Sequence, residues 1–237
     1  MHFLAGTLLA AAVLAPMLAV WYPRPLFEAA GSGRLPVFLA LVAIGAGPLV
    51  AHLIARAAAP GAKSRRIRIA LAQFVAIAGC GLALYVQRPV YLVFTADRFD
   101  LVLARDIDPR DLAKAQRPEF RRRPLGPAQY VAALQPADAA EGQRILADAL
   151  EGGKDLQAYP QHYVPYAGEA KNALKRAKPL GLIRAKAPAA VDAYLAASGR
   201  AEASVGYLPL RARRRDGIVL LDAASGLPLE ILLIDPW

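Results

Sequence analysis

The residues able to do chemistry are few in this 237-residue chain. His2, His52 and His162 are its only histidines and Cys80 its only cysteine, and their scatter matches no ligand spacing of a zinc or redox site. Ser204 and Ser225 stand in strand or turn context, without the strand-to-helix G-x-S-x-G elbow that presents a nucleophile. No glycine-rich phosphate loop occurs either. Asp97, Asp100, Asp106 and Asp222 become an acid/base pair only if folding collects them, and acids at turns and strand ends usually serve structure. The pattern points to no metal and no cofactor. An enzyme reading would rest on Asp97, Asp100 or His162. The weightier expectation is a protein that works by contact.

The elements that position these residues begin with "VYLVFT" (Val90–Thr95) and "FDLVLARDI" (Phe99–Ile107), both rich in β-branched and aromatic residues and separated by a short polar turn. They are expected to pair antiparallel. Asp108-Pro109 with Asp111 reads as an N-cap, a first-position proline and a first-turn acid. Asp138 with Glu141 opens a second helix that Gly152-Gly153 stops, and helices are expected around residues 166–178 and 188–199. Three strand-like runs, "SVGYLPLRAR", "GIVLLDA" and "LPLEILLI", close the chain. Strands with helices gathered between them predict an α+β domain with an antiparallel sheet over residues 88–237.

The first 87 residues read differently. Met1 to Pro23, Leu35 to Ala55 and Ile69 to Gln87 are free of charge, and each is long enough as a helix to cross a hydrocarbon core of about 30 Å. The expectation is therefore a membrane protein with three N-terminal transmembrane α-helices, over roughly residues 3–22, 35–55 and 69–87, in contact with the lipid bilayer. The loop from Arg56 to Arg68 carries Arg56, Lys63, Arg65, Arg66 and Arg68 and no acid. By the positive-inside rule these five are topology determinants, putting the N-terminus in the cytoplasm and residues 88–237 outside. His52 is the one ionisable group within an expected span, near its cytoplasmic end.

Charge divides unevenly. Of the formal +10, residues 88–237 hold 22 Lys/Arg against 18 Asp/Glu, too balanced for a nucleic-acid footprint, so no nucleic acid partner is expected. A domain of this size needs no disulfide to bury an adequate core.

Two contact surfaces suggest themselves. "LQAYPQHYVPY" (Leu156–Tyr166) spaces Tyr159, Tyr163 and Tyr166 with prolines, which reads equally as a contact surface of large amphipathic rings or as a loop whose tyrosines cover the sheet. Ala43, Gly47 and Ala51, with Ala72, Ala76 and Cys80, place small residues at helical spacing, a device for close helix approach within a bundle or toward a foreign helix.

Taken together, "WYPRPLFEAAG" after the first apolar run, "GPL" (Gly47–Leu49), "RPVYLVFTADRF", "YVPY" (Tyr163–Tyr166), "YLPLRAR" (Tyr207–Arg213) and the terminal "DPW" resemble the TfpX/TfpZ family of type IV pilin accessory proteins, in order and over nearly the whole chain. Members commonly have "YPGPL" and an acid before "GPL"; here Arg24 and the apolar "AIGA" stand there. The resemblance implies an inner-membrane, multi-pass accessory factor with a periplasmic C-terminal domain. Its partner would be a type IV major pilin whose stability, assembly or display it supports by binding, and no catalytic residues are implied. The rivals are a membrane-bound enzyme modifying pilin or envelope material, and a structural or sensory part of the pilus machine.

Overall fold

The computed structural model describes residues 2–31 and 62–237, which fall into two compact units, one holding residues 2–23 and 62–88 and the other Arg24–Gly31 with Pro89–Trp237. In the first, helices α1 (His2–Trp21) and α3 (Ala62–Gln87) bury Ala10, Leu14, Ile77, Cys80 and Leu84. Tyr22 donates to the Leu84 carbonyl at 3.0 Å, and the Trp21 and Tyr85 rings meet edge to face at 5.9 Å with the Arg88 guanidinium 3.9 Å from the Tyr85 centroid.

Among the described residues no helix is long and apolar enough to cross a membrane. This overturns the expectation of three N-terminal transmembrane helices and of a multi-pass inner-membrane location, on which the topology role expected of Arg56, Lys63, Arg65, Arg66 and Arg68 rests. The helix expected from Ile69 starts seven residues earlier, at Ala62, and takes Lys63, Arg65, Arg66 and Arg68 into its first two turns, while α1 is alanine-rich and carries Pro16. The expected span 35–55, with Ala43, Gly47, Ala51 and His52, lies outside the described residues, as does Arg56.

The second unit is built on a mixed sheet in the order β4-β3-β1-β2-β6-β7-β8, with β5 paired to β6. Its strands are β1 (Pro89–Thr95), β2 (Arg98–Leu103), β3 (Gln129–Ala133), β4 (Tyr163–Pro165), β5 (Lys178–Pro179), β6 (Val205–Arg211), β7 (Gly217–Asp222) and β8 (Pro228–Leu232). The β1–β2 hairpin forms around Ala96-Asp97 with Thr95 opposite Arg98. The sheet is not wholly antiparallel as expected: β1 pairs β3, and β2 pairs β6, in parallel. In each case a helix-bearing connection separates the partners, which lets the chain re-enter beside an earlier strand in the same direction.

β1 is buried along all seven residues because it has a core on each face. Tyr91 and Val93 join Val102, Ile107, Phe120, Val131 and Ile145 on one side; Leu92 and Phe94 join Phe99, Leu208, Leu210 and Val219 on the other. Helix α4 (Pro109–Ala113) is capped by Asp108, whose Oδ1 accepts from the Arg110 N–H at 2.8 Å, and α5 (Ala139–Leu150) by Asp138, which accepts from Ala140 N–H at 3.0 Å. Helices α6 (Tyr166–Arg176), α7 (Leu180–Arg184) and α8 (Pro188–Ser198) follow, and Gly199 ends α8 in the left-handed conformation at φ +65°.

The short segment Arg24–Gly31, with its one-turn helix α2 (Leu26–Ala29), belongs to the sheet unit although it follows α1 in sequence. Leu26 enters the core beside Leu92, a burial that stabilises by about 1.5–3 kcal/mol. The Ala29 carbonyl accepts from Arg214 N–H at 3.2 Å, and Glu28 pairs with Arg215 at 2.9 Å.

Candidate functional site

The site grows from the meeting of β2 with β6. The two strands pair only at Phe99/Leu210 and Asp100/Arg211; β6 then ends, while β2 runs on to Leu103. The sheet forks there and leaves a groove of about 570 Å³ between Asp100–Val102, Arg105 and Asp106 on one side, Arg211–Arg213 on another, and Gly153–Asp155 with Gln157 on a third. Asp100, 3 % exposed, receives Thr95 Oγ1 at 2.9 Å and Arg98 Nε at 3.3 Å. Burial pushes its carboxyl above the usual carboxylate range, against the opposing pull of Arg98, Thr95 and Arg211. Asp106 accepts from Leu103 N–H at 2.9 Å and pairs with Arg213 at 3.1 Å.

A second groove, about 690 Å³, adjoins the first through the shared residues Gly153 and Lys154. Its floor is Asp111, which Lys114 approaches to 2.9 Å and Lys154 to 3.1 Å. Burial would raise the Asp111 carboxyl, but hydrogen bonds and charge from the two lysines outweigh it and hold the group below its ordinary value. Asp108 is held well below the usual range by the side chain and backbone N–H of Arg110. Asp148 completes the wall, accepting from Tyr159 Oη at 2.9 Å and Lys154 N–H at 3.1 Å.

In both grooves the carboxylates lie deeper than the cations. Asp100 and Asp111 are buried, while the side chains of Arg105 and Lys154 are each 35 % exposed and that of Arg213 is 56 % exposed. The acids therefore orient basic head groups toward the opening. Arg211 is exposed and forms no ion pair among the described residues. Among the described residues no cluster of His, Cys, Asp and Glu is arranged to hold a metal ion.

The tyrosines offered as a contact surface point inward. Tyr159, Tyr163 and Tyr166 are 4 %, 2 % and 3 % exposed, so of the two readings of that segment the structure displays the packed one. Tyr163 meets Tyr91 and Phe120 edge to face at 5.2 and 5.8 Å and donates to the Gln157 carbonyl. Tyr166 lies in the other core, 5.4 Å from Phe99, and donates to the Gly226 carbonyl at 2.7 Å. The proline spacing that suggested a rigid surface instead turns the chain through two 3₁₀ segments, Leu156–Ala158 and Pro160–His162, so that Tyr159 and Tyr163 enter one core and Tyr166 the other.

Of the polar candidates only Asp100 and Asp106 share a groove. His162 lies 3.2 Å from Glu141 Oε1, Asp97 is exposed at the hairpin tip, and Asp100 is in the first groove. Asp222 pairs with Arg200 at 2.9 Å and accepts from Ser225 Oγ at 2.9 Å; Ser204 donates to the Ala201 carbonyl at 2.7 Å. The residues that sequence reading missed are Arg105, Lys154, Arg211 and Arg213. A signal for two of them was present: Arg211 and Arg213 are two apart at the end of a strand, hence on one face of an extended chain.

No protein-family model matches the chain, and no solved structure matches it. Two curated proteins of Dichelobacter nodosus do. The chain is similar to "Fimbrial assembly protein, serogroup I", 28 % identical over 187 residues that span 76 % of this chain and 70 % of the relative, and to "Fimbrial assembly protein, serogroup E1", 27 % identical over the same shares.

Proposed function

We propose that the chain is an accessory factor in fimbrial assembly, of the TfpX/TfpZ type of type IV pilin accessory protein, and that it acts by binding a pilus subunit rather than by catalysis. The observation that carries the reading is the similarity to two fimbrial assembly proteins over 76 % of the chain, a span too long to be confined to the N-terminal helices. Non-catalytic action is supported by the chemistry of the grooves. Asp100, the buried carboxylate best placed for acid/base work, already accepts from Thr95 and Arg98, and neither groove brings a serine, cysteine or histidine beside it. The proline-linked tyrosines serve this function indirectly, by fixing the sheet unit that displays the grooves.

The test is genetic. Loss of the gene should reduce surface fimbriae, and the wild-type chain should restore them. Unchanged fimbriae in the deletion strain would remove the reading.

A further inference from the structure

We infer that the two adjoining grooves receive an extended, acidic segment of a protein partner. The inference rests on the reading above, in which the chain binds a pilus subunit, and adds which surface binds and what chemistry it selects. Three independent features support it.

The first is the open strand edge. β1 covers one side of β2 along its length, but on the other side β6 accompanies it only through Phe99 and Asp100, so Leu101 and Val102 line the groove with no strand beside them, while the Leu103 N–H is taken by Asp106 at 2.9 Å. An extended peptide supplies the alternating N–H and C=O groups such an edge takes. The second is charge. Lys154 is held by the buried Asp111, and Arg105 and Arg213 by the half-buried Asp106, each more exposed than its acid, and Arg211 stands at the fork without an ion pair among the described residues. Arginine's planar fork suits carboxylates in particular. The third is Gln157, whose side-chain oxygen is buried without a hydrogen-bond partner among the described residues and whose residue lines the groove. An acceptor left so is costly, and a turn of the Gln157 amide that brings it to the groove surface lets a backbone N–H of an entering peptide satisfy it. A phosphate polymer would meet the cations but supply no donor for Gln157 and no partner for the β2 edge, so a peptide fits all three features.

The full chain is titrated with labelled hexaglutamate and hexaglutamine, following fluorescence anisotropy. Hexaglutamate should bind and hexaglutamine should not. Binding should weaken at least tenfold in the double variant Arg105→Glu/Arg211→Glu and less in Arg105→Gln/Arg211→Gln, which keeps the measurement available if charge reversal disturbs folding. The control Lys171→Glu/Lys175→Glu, with the same change in net charge on the exposed side of α6, should bind as the wild type. Equal losses in control and groove variants, or tighter binding of polyphosphate or single-stranded DNA than of hexaglutamate, would overturn the inference. A pull-down of the pilus subunit separates it from the proposed function: a subunit retained equally by wild type and the Arg105→Glu/Arg211→Glu variant sinks the groove alone, while a subunit that never binds the wild type, with hexaglutamate still selected, sinks the function alone.

Discussion

The tyrosine segment and the forked grooves lie in the same unit and adjoin at Gln157 and Tyr159, yet most of their side chains are used in opposite ways. Tyr159, Tyr163 and Tyr166 carry the largest apolar area in their stretch and spend it inward, with each hydroxyl bonded to the fold's own groups. The groove residues bury Asp100 and Asp111 and leave their cations at the rim. One region holds the domain together and the other presents a surface. Aromatic content in a loop is thus a poor guide to contact when the loop crosses a sheet that needs two cores.

The sharpest way to break that comparison is to truncate one residue from each region and measure urea unfolding. Tyr163→Ala should cost about 3–5 kcal/mol, as aromatic truncations in cores do, because it empties the space between Tyr91 and Phe120. Arg211→Ala should stay within about 0.5 kcal/mol. Comparable losses at both positions would show that the fork is structural.

A smaller effect is expected where α6 meets the β7–β8 turn. Gly226 has φ +73°, and a Cβ there would lie 2.3 Å from the Ala170 carbonyl oxygen, so Gly226→Ala should destabilise by more than about 1 kcal/mol. Tyr166→Phe removes only the hydroxyl that reaches the Gly226 carbonyl and should cost about 1–2 kcal/mol. If Tyr166→Phe proved neutral, that hydrogen bond would not be among the contacts fixing the ring.

The smallest and most selective effect is in pH. Asp100 has its carboxyl raised by burial, so the stability it contributes is complete below its ordinary value of 3.8 and is lost as pH climbs through the raised value. Asp222, lowered to about 2 by Ser225 and Arg200, behaves in reverse: its contribution is present above 3.8 and is lost as pH falls toward 2. Relative to the wild type, Asp100→Asn should therefore become more favourable as pH rises from 3.8, and Asp222→Asn less favourable over the interval below it. The same slope for both variants would contradict the difference in their surroundings.

Much of the sheet unit was legible in the sequence through local chemistry. The β1–β2 hairpin, the Asp108 and Asp138 caps and the glycine stop at Gly199 all follow from short-range rules. What was not legible depended on long-range pairing. Nothing local in "VYLVFT" or "YLPLRAR" tells that β1 takes β3, and β2 takes β6, in parallel, or that β6 stops after two paired residues. The groove is a product of that stop, and so, although Asp100 and Asp106 stood out singly and Arg211 and Arg213 shared a face, nothing in the sequence brought them together. The N-terminal helices show the converse: a count of uncharged residues suggested spans, whereas α3 begins within the basic run itself. The segment Arg24–Gly31 was likewise assigned by its neighbours in sequence, and its side chains, Leu26 above all, place it with the sheet.

The central claim, that this chain assists fimbrial assembly by holding a pilus subunit, is tested most directly by capture from cells. An affinity-tagged wild-type chain produced at native level should co-purify the pilus subunit in excess of an untagged control, and Arg105→Glu/Arg211→Glu, present at the same level, should retain markedly less of it and leave fewer surface fimbriae. Recovery of no pilus subunit by the wild-type chain, in cells that assemble fimbriae normally, would contradict the account.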